Sequence, residues 1–180
     1  MTVASHGFLF GTKVFHPLTG HREIGEVILE ITHTDVAIVK LHEGVEFVNV
    51  AFENTLVGGP PVQLRQFARA NETQTGSFIY MDNPFTGYIE GTHGPRAILR
   101  VPSDDPYEPE QRWIKTRWDY LGQGSNQRMG DGMCGSVIWN DRDMVVGFFR
   151  YAPTSGHFVD WCLSVSAEHV IDHGFSLVET

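Results

Sequence analysis

Short apolar runs alternate with turn-forming residues along this 180-residue chain, and this alternation constrains its fold more than any other feature. The runs are rich in Val, Ile and aromatic residues, which favour β-strands, and clusters of Gly, Pro, Asn and Asp separate them. We predict strands at residues 23–32, 35–41, 77–82, 87–92, 97–101, 112–121, 136–139, 145–151 and 157–164. Strands at this spacing predict an all-β protein, either a sandwich or a pair of small barrels.

Three local signals refine this all-β prediction. Asn140–Asp143 is typical of a hairpin turn between two strands. Residues 166–173 are the one segment with a helical pattern, with Ser166 as N-cap and Gly174 as the C-terminal stop. The polar, Pro-containing stretch 58–76 is the expected boundary between an N-terminal lobe, residues 1–66, and a C-terminal barrel, residues 67–180.

Charge and composition exclude several classes of function. The chain has 13 Lys and Arg against 22 Asp and Glu, a formal net charge of −9, and it contains no basic run, so we expect no nucleic-acid partner. No apolar stretch approaches the ~18 residues of a membrane span, and the first residues lack the plan of a signal peptide. With only two cysteines, Cys134 and Cys162, a disulfide framework is excluded, and we expect an intracellular, cytoplasmic protein without membrane association.

Three segments carry the residues that could perform chemistry. They are TVASHG at 2–7, DVAIVKL at 35–41 and GDGMCGSV at 130–137. A thiol needs a neighbouring imidazole to become a thiolate near neutral pH, and a carboxylate can fix the orientation of that imidazole. Glycines around a cysteine leave backbone amides free to face a developing oxyanion. The order His, Asp, Cys, each at a strand end, is therefore a coherent catalytic set.

In this order the segments resemble those of the trypsin/chymotrypsin-fold proteases, and more narrowly the cysteine-nucleophile members such as the picornavirus 3C-type enzymes. TVASHG is similar to T-A-A-H-C, DVAIVKL to D-I-A-L-L, and GMCGSV to G-D-S-G-G-P or G-x-C-G-G. VVGFFRYA, which begins eleven residues after Cys134, is similar to G-I-V-S-W-G. The chain is also similar to uncharacterised fungal trypsin-like domains. The resemblance implies a chymotrypsin-like double β-barrel with a short C-terminal helix.

The same resemblance implies a role for each candidate residue. Cys134 would be the nucleophile, His6 the general base and acid, and Asp35 the residue that orients His6. The amides of Gly132 and Cys134 would form the oxyanion hole. The residues that would line the primary substrate pocket are Arg128, Phe149, Arg150, Tyr151 and Ala152. Two arginines at one pocket suggest an acidic or polar P1 residue, and the chemistry requires no metal and no cofactor.

The chain also departs from the family pattern. His6 lies almost at the first residue, so the opening strands of the N-terminal lobe are expected to be missing, either because the chain is a fragment or because the lobe is rebuilt. Met133 replaces the aspartate that precedes the nucleophile in the family, so activation by N-terminal cleavage is not implied. Gly7 lies where many members of the family have a cysteine directly after the catalytic histidine. Ser136 lies two residues past the turn and cannot substitute for Cys134 as nucleophile.

Two functional hypotheses follow for this sequence. The first is a cysteine endopeptidase that hydrolyses peptide or protein substrates through Cys134, His6 and Asp35, with self-processing as a variant. The second is a catalytically weak or inactive protease-fold module that binds peptides or partner proteins. Each residue also has a structural interpretation: Cys134 could be a packing residue, Asp35 a turn cap after Thr34, and Arg128 and Arg150 ordinary surface charges. His169 and His173, four residues apart on the predicted helix, have the spacing of two metal ligands, but no further ligands are evident.

Overall fold

A computed structural model describes residues 1–8, 11–16, 22–31, 34–52, 60–101, 106–107, 110–120, 129 and 132–178, with the backbone alone at 95–97 and 119–120. The described chain divides into two compact units, Met1–Val48 and Asn49–Thr180. It is all-β apart from one short α-helix and two 3₁₀ turns. Within these residues, no helix is long and apolar enough to cross a membrane.

The first unit is a four-stranded antiparallel sheet that forms half of a barrel. Its strands are β1 (Thr2–Ala4), β2 (Lys13–Phe15), β3 (Glu23–Ile31) and β4 (Val36–Leu41), in the spatial order β1-β4-β3-β2. The apolar run Val36–Val39 makes β4 the buried central strand, while β3 alternates more exposed and more buried positions. This arrangement places the end of β1 beside the beginning of β4.

The second unit is a closed six-stranded barrel with one extra strand on its edge. Its strands are β5 (Gln66–Phe67), β6 (Phe78–Asn83), β7 (Gly87–Val101), β8 (Gln111–Tyr120), β9 (Val137–Asn140), β10 (Met144–Tyr151) and β11 (Trp161–Ser166). The order is β11-β8-β7-β6-β9-β10, and an antiparallel pairing of β10 with β11 closes the ring. The short strand β5 pairs in parallel with β10, and helix α1 (Glu168–Asp172) follows β11.

The core of the second unit fills this barrel. Its largest members include Ile79, Met81, Ile89, Ile114, Trp118, Met133 and Ile138, all almost completely buried. Because inward residues alternate with outward ones along a strand, β6 and β8 contribute every second residue to the core. The barrel is thus a packed core that can hold a neighbouring loop rigidly.

The predicted elements recur in the structure with specific differences. The hairpin at Asn140–Asp143 is confirmed: the Asn140 Oδ1 atom accepts the amides of Arg142 and Met144, at 3.0 and 3.1 Å. The two strands predicted at 87–92 and 97–101 are one strand, β7, which continues through an irregularity between His93 and Ile98. Helix α1 is shorter than predicted, with Ala167 at its N-cap. The Ser166 hydroxyl still accepts the Glu168 amide at 3.2 Å.

The described parts of residues 49–66, namely 49–52 and 60–66, were assigned to the first lobe by the sequence prediction and lie in the second compact unit. Phe52 pairs with Val62 through a β-bridge and stacks on Trp139 of β9, with ring centroids 4.7 Å apart. The Asn49 side chain donates to the Leu64 carbonyl at 2.9 Å. These contacts attach the segment to the barrel.

Candidate active site

The pairing of β1 with β4 brings His6 and Asp35 together. Ala4 is opposite Val36 in the register, so the residues that follow β1 lie beside the residue that precedes β4. The Ser5 amide donates to the Asp35 carbonyl at 2.9 Å. Two residues almost thirty positions apart in sequence are therefore neighbours because of strand register alone.

The Asp35 carboxylate holds both the ring and the backbone of His6. His6 Nδ1 lies 2.7 Å from Oδ2 and 2.9 Å from Oδ1, and the His6 amide donates to Oδ1 at 2.8 Å. The Ser5 hydroxyl donates to the same oxygen at 3.0 Å. Because the carboxylate occupies Nδ1, the Nε2 atom is left as the nitrogen that can exchange a proton with a substrate or nucleophile. The His6 side chain is about half exposed, at 49%, and Asp35 is mostly buried, at 11%.

The backbone of Asp35 is in the left-handed region, with φ of +60°. Asp tolerates this conformation better than most residues. The neighbouring turn is closed by Thr34, whose hydroxyl donates to the Ile31 carbonyl at 2.6 Å and accepts the Val36 amide at 3.2 Å. Thr34 thus caps the turn, and the Asp35 carboxylate faces Ser5 and His6.

Cys134 lies in a tight turn that precedes β9. Gly132 and Gly135, on either side of it, have φ of +91° and +84°, which a residue with a side chain rarely adopts. The Ser136 amide donates to the Met133 carbonyl at 3.0 Å, and Gly135 donates to Phe149 on β10 at 2.9 Å. Met133 is fully buried in the barrel core. The turn is therefore anchored on both sides of the cysteine, whose own exposure is intermediate.

The Cys134 sulfur contacts two parts of Arg150. The thiol donates to the Arg150 carbonyl at 3.4 Å, and the Arg150 Nη1 atom lies 3.7 Å from Sγ. The guanidinium also lies over the Tyr151 ring, 4.3 Å from its centroid. Sequence reasoning placed Arg150 in a substrate pocket and missed this contact, because nothing in the spacing of two residues on different elements predicts it.

The amides predicted to form an oxyanion hole belong to the same turn. Among the described residues, neither the Gly132 amide nor the Cys134 amide donates a hydrogen bond to a backbone carbonyl. A Cβ atom on Gly132 would lie 2.9 Å from the exposed Phe85 ring, which would have to shift to accommodate it. Both amides are compatible with an anion that forms beside Cys134.

The predicted pocket residues lie in different environments. The Phe149 side chain is buried in the core, and its backbone pairs with Gly135 and Ser136, each at 2.9 Å. Arg150, Tyr151 and Ala152 continue β10 outward, and Tyr151 is half exposed. Tyr151 and Ala152 line an open, mostly apolar cavity of about 520 Å³. Arg128 lies outside the described residues.

The other cysteine and the histidine pair have structural partners. Burial raises the pKa of the Cys162 thiol to about 11, as expected for a core side chain. His169 Nε2 accepts the Arg112 amide at 2.8 Å, and His173 Nδ1 pairs with the His169 carbonyl at 2.7 Å. In the part of the chain that is described, no group of three or more His, Cys, Asp or Glu side chains could hold a metal ion.

Comparison with known proteins finds matches among solved structures. No family model matches the sequence, and no curated protein matches it significantly. The chymotrypsin of Cellulomonas bogoriensis matches with a TM-score of 0.60 and 19% identity, covering 99% of this chain and 85% of that one. A glutamic acid-specific serine protease, described as using a histidine triad in substrate binding, matches with a TM-score of 0.64 and 14% identity over the same shares. The Rv3671c protease of M. tuberculosis in its inactive form matches with a TM-score of 0.53 and 17% identity, over 95% of this chain and 75% of that one.

The chain has the chymotrypsin-like fold. The neighbours are trypsin/chymotrypsin-fold serine proteases, and their low identities establish this fold and nothing finer. Within it, the first unit is the half-barrel that carries His6 and Asp35, and the second is the closed barrel that carries Cys134. The two parts of the predicted catalytic set therefore belong to different units.

Proposed function

We propose that this protein is a cysteine endopeptidase in which Cys134, His6 and Asp35 form the catalytic set. The observation that carries the proposal is the double contact of the Asp35 carboxylate with His6, on Nδ1 at 2.7 Å and on the backbone amide at 2.8 Å. A carboxylate in this position fixes both the tautomer and the direction of the imidazole, which is what a general base requires.

The reaction divides into two covalent steps. The Cys134 thiolate attacks the carbonyl carbon of the scissile bond, and the resulting oxyanion is stabilised by the amides of Gly132 and Cys134. Protonated His6 gives its proton to the leaving amine, the C–N bond breaks, and a thioester remains. His6 then removes a proton from water, which attacks the thioester and releases the carboxylic acid and the thiolate. No cofactor enters this cycle.

The surroundings of Cys134 support the role of nucleophile. The Arg150 guanidinium lies 3.7 Å from the sulfur, within reach of a negative charge that forms on it. The glycines on either side keep the turn compact, and the intermediate exposure of Cys134 leaves the sulfur reachable. Cys162 has none of these features.

We extend the proposal to the mode of substrate binding. An extended peptide would add to the end of β10 at Arg150–Ala152, with main-chain hydrogen bonds for affinity and side-chain pockets for selectivity. The Arg150 guanidinium favours an acidic or polar residue beside the scissile bond. A structural neighbour of this fold is specific for glutamic acid, which is compatible with this preference.

A second candidate function is peptide binding without catalysis. The thiol of Cys134 donates to the Arg150 carbonyl, so in this arrangement its proton is directed at the protein and away from a base. A module that keeps the β10 edge for strand addition and holds its thiol in this way would bind peptides and leave them intact.

Selective alkylation of the two thiols tests the proposal without a known substrate. We expect iodoacetamide at pH 6.5 to modify Cys134 much faster than Cys162, as measured by mass spectrometry of peptides. His6→Ala should slow the alkylation of Cys134 and leave the alkylation rate of Cys162 unchanged. His157→Ala, which removes an exposed histidine, is the matched control. Equal rates for Cys134 in the parent and in His6→Ala would contradict the catalytic set and favour the binding module.

Cleavage of a peptide library then tests turnover. Fragments that form with the parent chain and not with Cys134→Ala would establish peptidase activity, and their ends would give the P1 preference. Prolonged incubation of the parent chain alone, followed by intact mass measurement, tests self-processing. Alkylation that depends on His6 in a chain that cleaves no library peptide would restrict the activity to self-processing or to a narrow substrate.

A further inference from the structure

An apolar groove lies on the outer face of the closed barrel, beside the end of β10. The outward side chains of neighbouring strands meet there, because Leu163 is opposite Lys115 on β8 and opposite Tyr151 on β10. The preceding residue, Cys162, is buried in the core, as alternation in a strand requires, and it also lines the groove. The groove has a volume of about 520 Å³ and is lined mainly by Leu99, Lys115, Tyr151, Phe158, Trp161 and Leu163.

The walls of this groove are held in place by close packing. Trp161 packs on the backbone of Gly94, where a Cβ atom would lie only 2.7 Å from the indole carbon Cζ3. Tyr151 stacks on Trp113 with ring centroids 5.6 Å apart and an interplanar angle of 15°. A glycine that makes room for one aromatic ring and a stacked partner for another indicate a preformed site.

The groove leaves large apolar side chains facing solvent. Phe158 is 59% exposed and Tyr151 is 51% exposed, although both have aromatic rings that burial would stabilise. Exposed apolar side chains grouped around one groove offer a surface that an apolar ligand could cover. The volume of about 520 Å³ falls within the range of sites for small organic molecules, about 300–1,000 Å³.

A single positive charge distinguishes this groove from a general apolar surface. The Lys115 Nζ atom lies over the Trp161 ring, 4.1 Å from its centroid. Its neighbour Arg117 pairs with Asp160 at 2.9 Å, but the ion pairs of the described residues do not include Lys115. In a chain with a net charge of −9, this ammonium is available to an anionic group of a ligand.

We propose that this groove binds a small apolar carboxylate, with the carboxylate on Lys115 and the aromatic or aliphatic body against Leu99, Phe158 and Leu163. The juxtaposition that carries the proposal is an ammonium on the face of Trp161 that makes no ion pair with any described residue, inside a preformed apolar groove. Apolar contact supplies most of the affinity, and the charge selects an acid over a neutral analogue.

The proposal for this groove does not rest on peptidase activity, since the groove uses neither Cys134 nor His6. It shares Tyr151 and Ala152 with the strand edge proposed for substrate. A carboxylate in the groove would therefore compete with the side chains of a peptide bound along β10.

Calorimetric titration of the full chain with 4-phenylbutyrate and with its neutral amide tests the assignment. The chain carries Cys134→Ala, so that the proposed nucleophile is absent. We expect the acid to bind about tenfold more tightly than the amide, the size of effect that a charge-assisted hydrogen bond gives. Lys115→Met should abolish this preference while both compounds still bind. Lys40→Met, which removes an exposed lysine from β4, is the matched control and should keep it.

Two further measurements make the outcome decisive. Gly94→Ala should displace Trp161 and weaken the acid and the amide alike, with circular dichroism as the check on folding. Equal affinities for acid and amide, a preference that survives Lys115→Met, or no saturable binding of either compound would overturn the proposal. A dimer that Phe158→Ser dissociates, or tighter binding of an uncharged apolar peptide, would assign the groove to a protein partner instead.

Discussion

Asp35 binds His6 twice, through Nδ1 of the ring at 2.7 Å and through the backbone amide at 2.8 Å. The register of β1 and β4 creates this relationship, and the left-handed backbone of Asp35, with φ of +60°, directs the carboxylate toward it. Because the carboxylate fixes the imidazole at Nδ1, the Nε2 atom has a defined direction and can act as a base. The pairing of β1 with β4 therefore sets the orientation of the base in the proposed reaction.

Asp35→Asn separates the electrostatic role of this carboxylate from its structural role. Asn tolerates the left-handed backbone, so we expect little loss of stability. The amide cannot hold His6 in the same tautomer and cannot stabilise an imidazolium, so any peptidase activity should fall by about a hundredfold or more in kcat/KM. Nitrogen NMR of the His6 ring is a readout that does not need a substrate. An unchanged tautomer in the variant would show that the carboxylate does not control the ring.

Much of the fold could be predicted from the sequence because strand signals are local. Runs such as VAIV at Val36–Val39 are buried central strands in the structure, as their continuous apolar pattern indicates. The break predicted between residues 92 and 97 is absent, because Gly94 and Pro95, which favour a turn, occupy an irregularity within β7. There Gly94 makes room for Trp161, a contact between distant residues that local signals cannot show.

The candidate site could be predicted only in part, for the same reason. The order and surroundings of His6, Asp35 and Cys134 predict a catalytic set, and the structure shows the contact between His6 and Asp35 while the role of Cys134 stays a prediction. The contact of Arg150 with the Cys134 sulfur depends on the path of β10 past the cysteine turn, and no spacing rule encodes it. Thr34 caps the turn and Asp35 contacts His6 because the backbone of Asp35 has a φ of +60°, and the sequence does not predict this angle.

Arg150→Met tests the contact between the guanidinium and the Cys134 sulfur. Without the nearby cation the thiolate loses a favourable interaction, so alkylation of Cys134 by iodoacetamide at neutral pH should slow severalfold. Cys162, which is buried, should react as slowly as before. Arg142→Met, a change on the β9–β10 turn, is the control for loss of charge. Faster alkylation in Arg150→Met would mean that the arginine chiefly shields the sulfur.

We expect Glu168 to contribute strongly to the stability of the second unit. Its carboxylate contacts the guanidinium groups of Arg112 and Arg69 and accepts the Ala70 amide at 3.0 Å, and the residue is 8% exposed. Glu168→Gln would remove the mostly buried carboxylate that Arg112 and Arg69 share and leave them only the more exposed Asp172 as a charge partner among the described residues. We therefore expect a loss of about 2–3 kcal/mol in the free energy of unfolding. Asp172→Asn, at a position whose side chain is 50% exposed, should cost much less. Urea denaturation measures both, and equal losses would refute a special role for Glu168.

Gly147 should be required for closure of the barrel. A Cβ atom at this position would lie 2.6 Å from the Val165 carbonyl on β11, and the two backbones cannot separate without loss of the β10–β11 pairing. We expect Gly147→Ala to lower the free energy of unfolding by about 2–4 kcal/mol. Gly11→Ala, where a Cβ atom would meet nothing within 4 Å, is the control and should be neutral. Thermal unfolding followed by circular dichroism distinguishes the two variants.

His93 should make the stability of the second unit depend on pH. Burial lowers the pKa of this histidine from 6.5 to about 4, and neither ring nitrogen has a hydrogen-bond partner among the described residues. Between these values the unfolded chain binds a proton that the folded chain does not, so stability is full above pH 6.5 and falls as the pH decreases toward 4. The loss of stability attributable to His93 should be on the order of 3 kcal/mol.

In His93→Phe this part of the pH dependence should disappear, while His157→Phe, at an exposed position, should retain it. Urea unfolding at a series of pH values measures the slope, and identical slopes in the parent chain and His93→Phe would contradict the assignment.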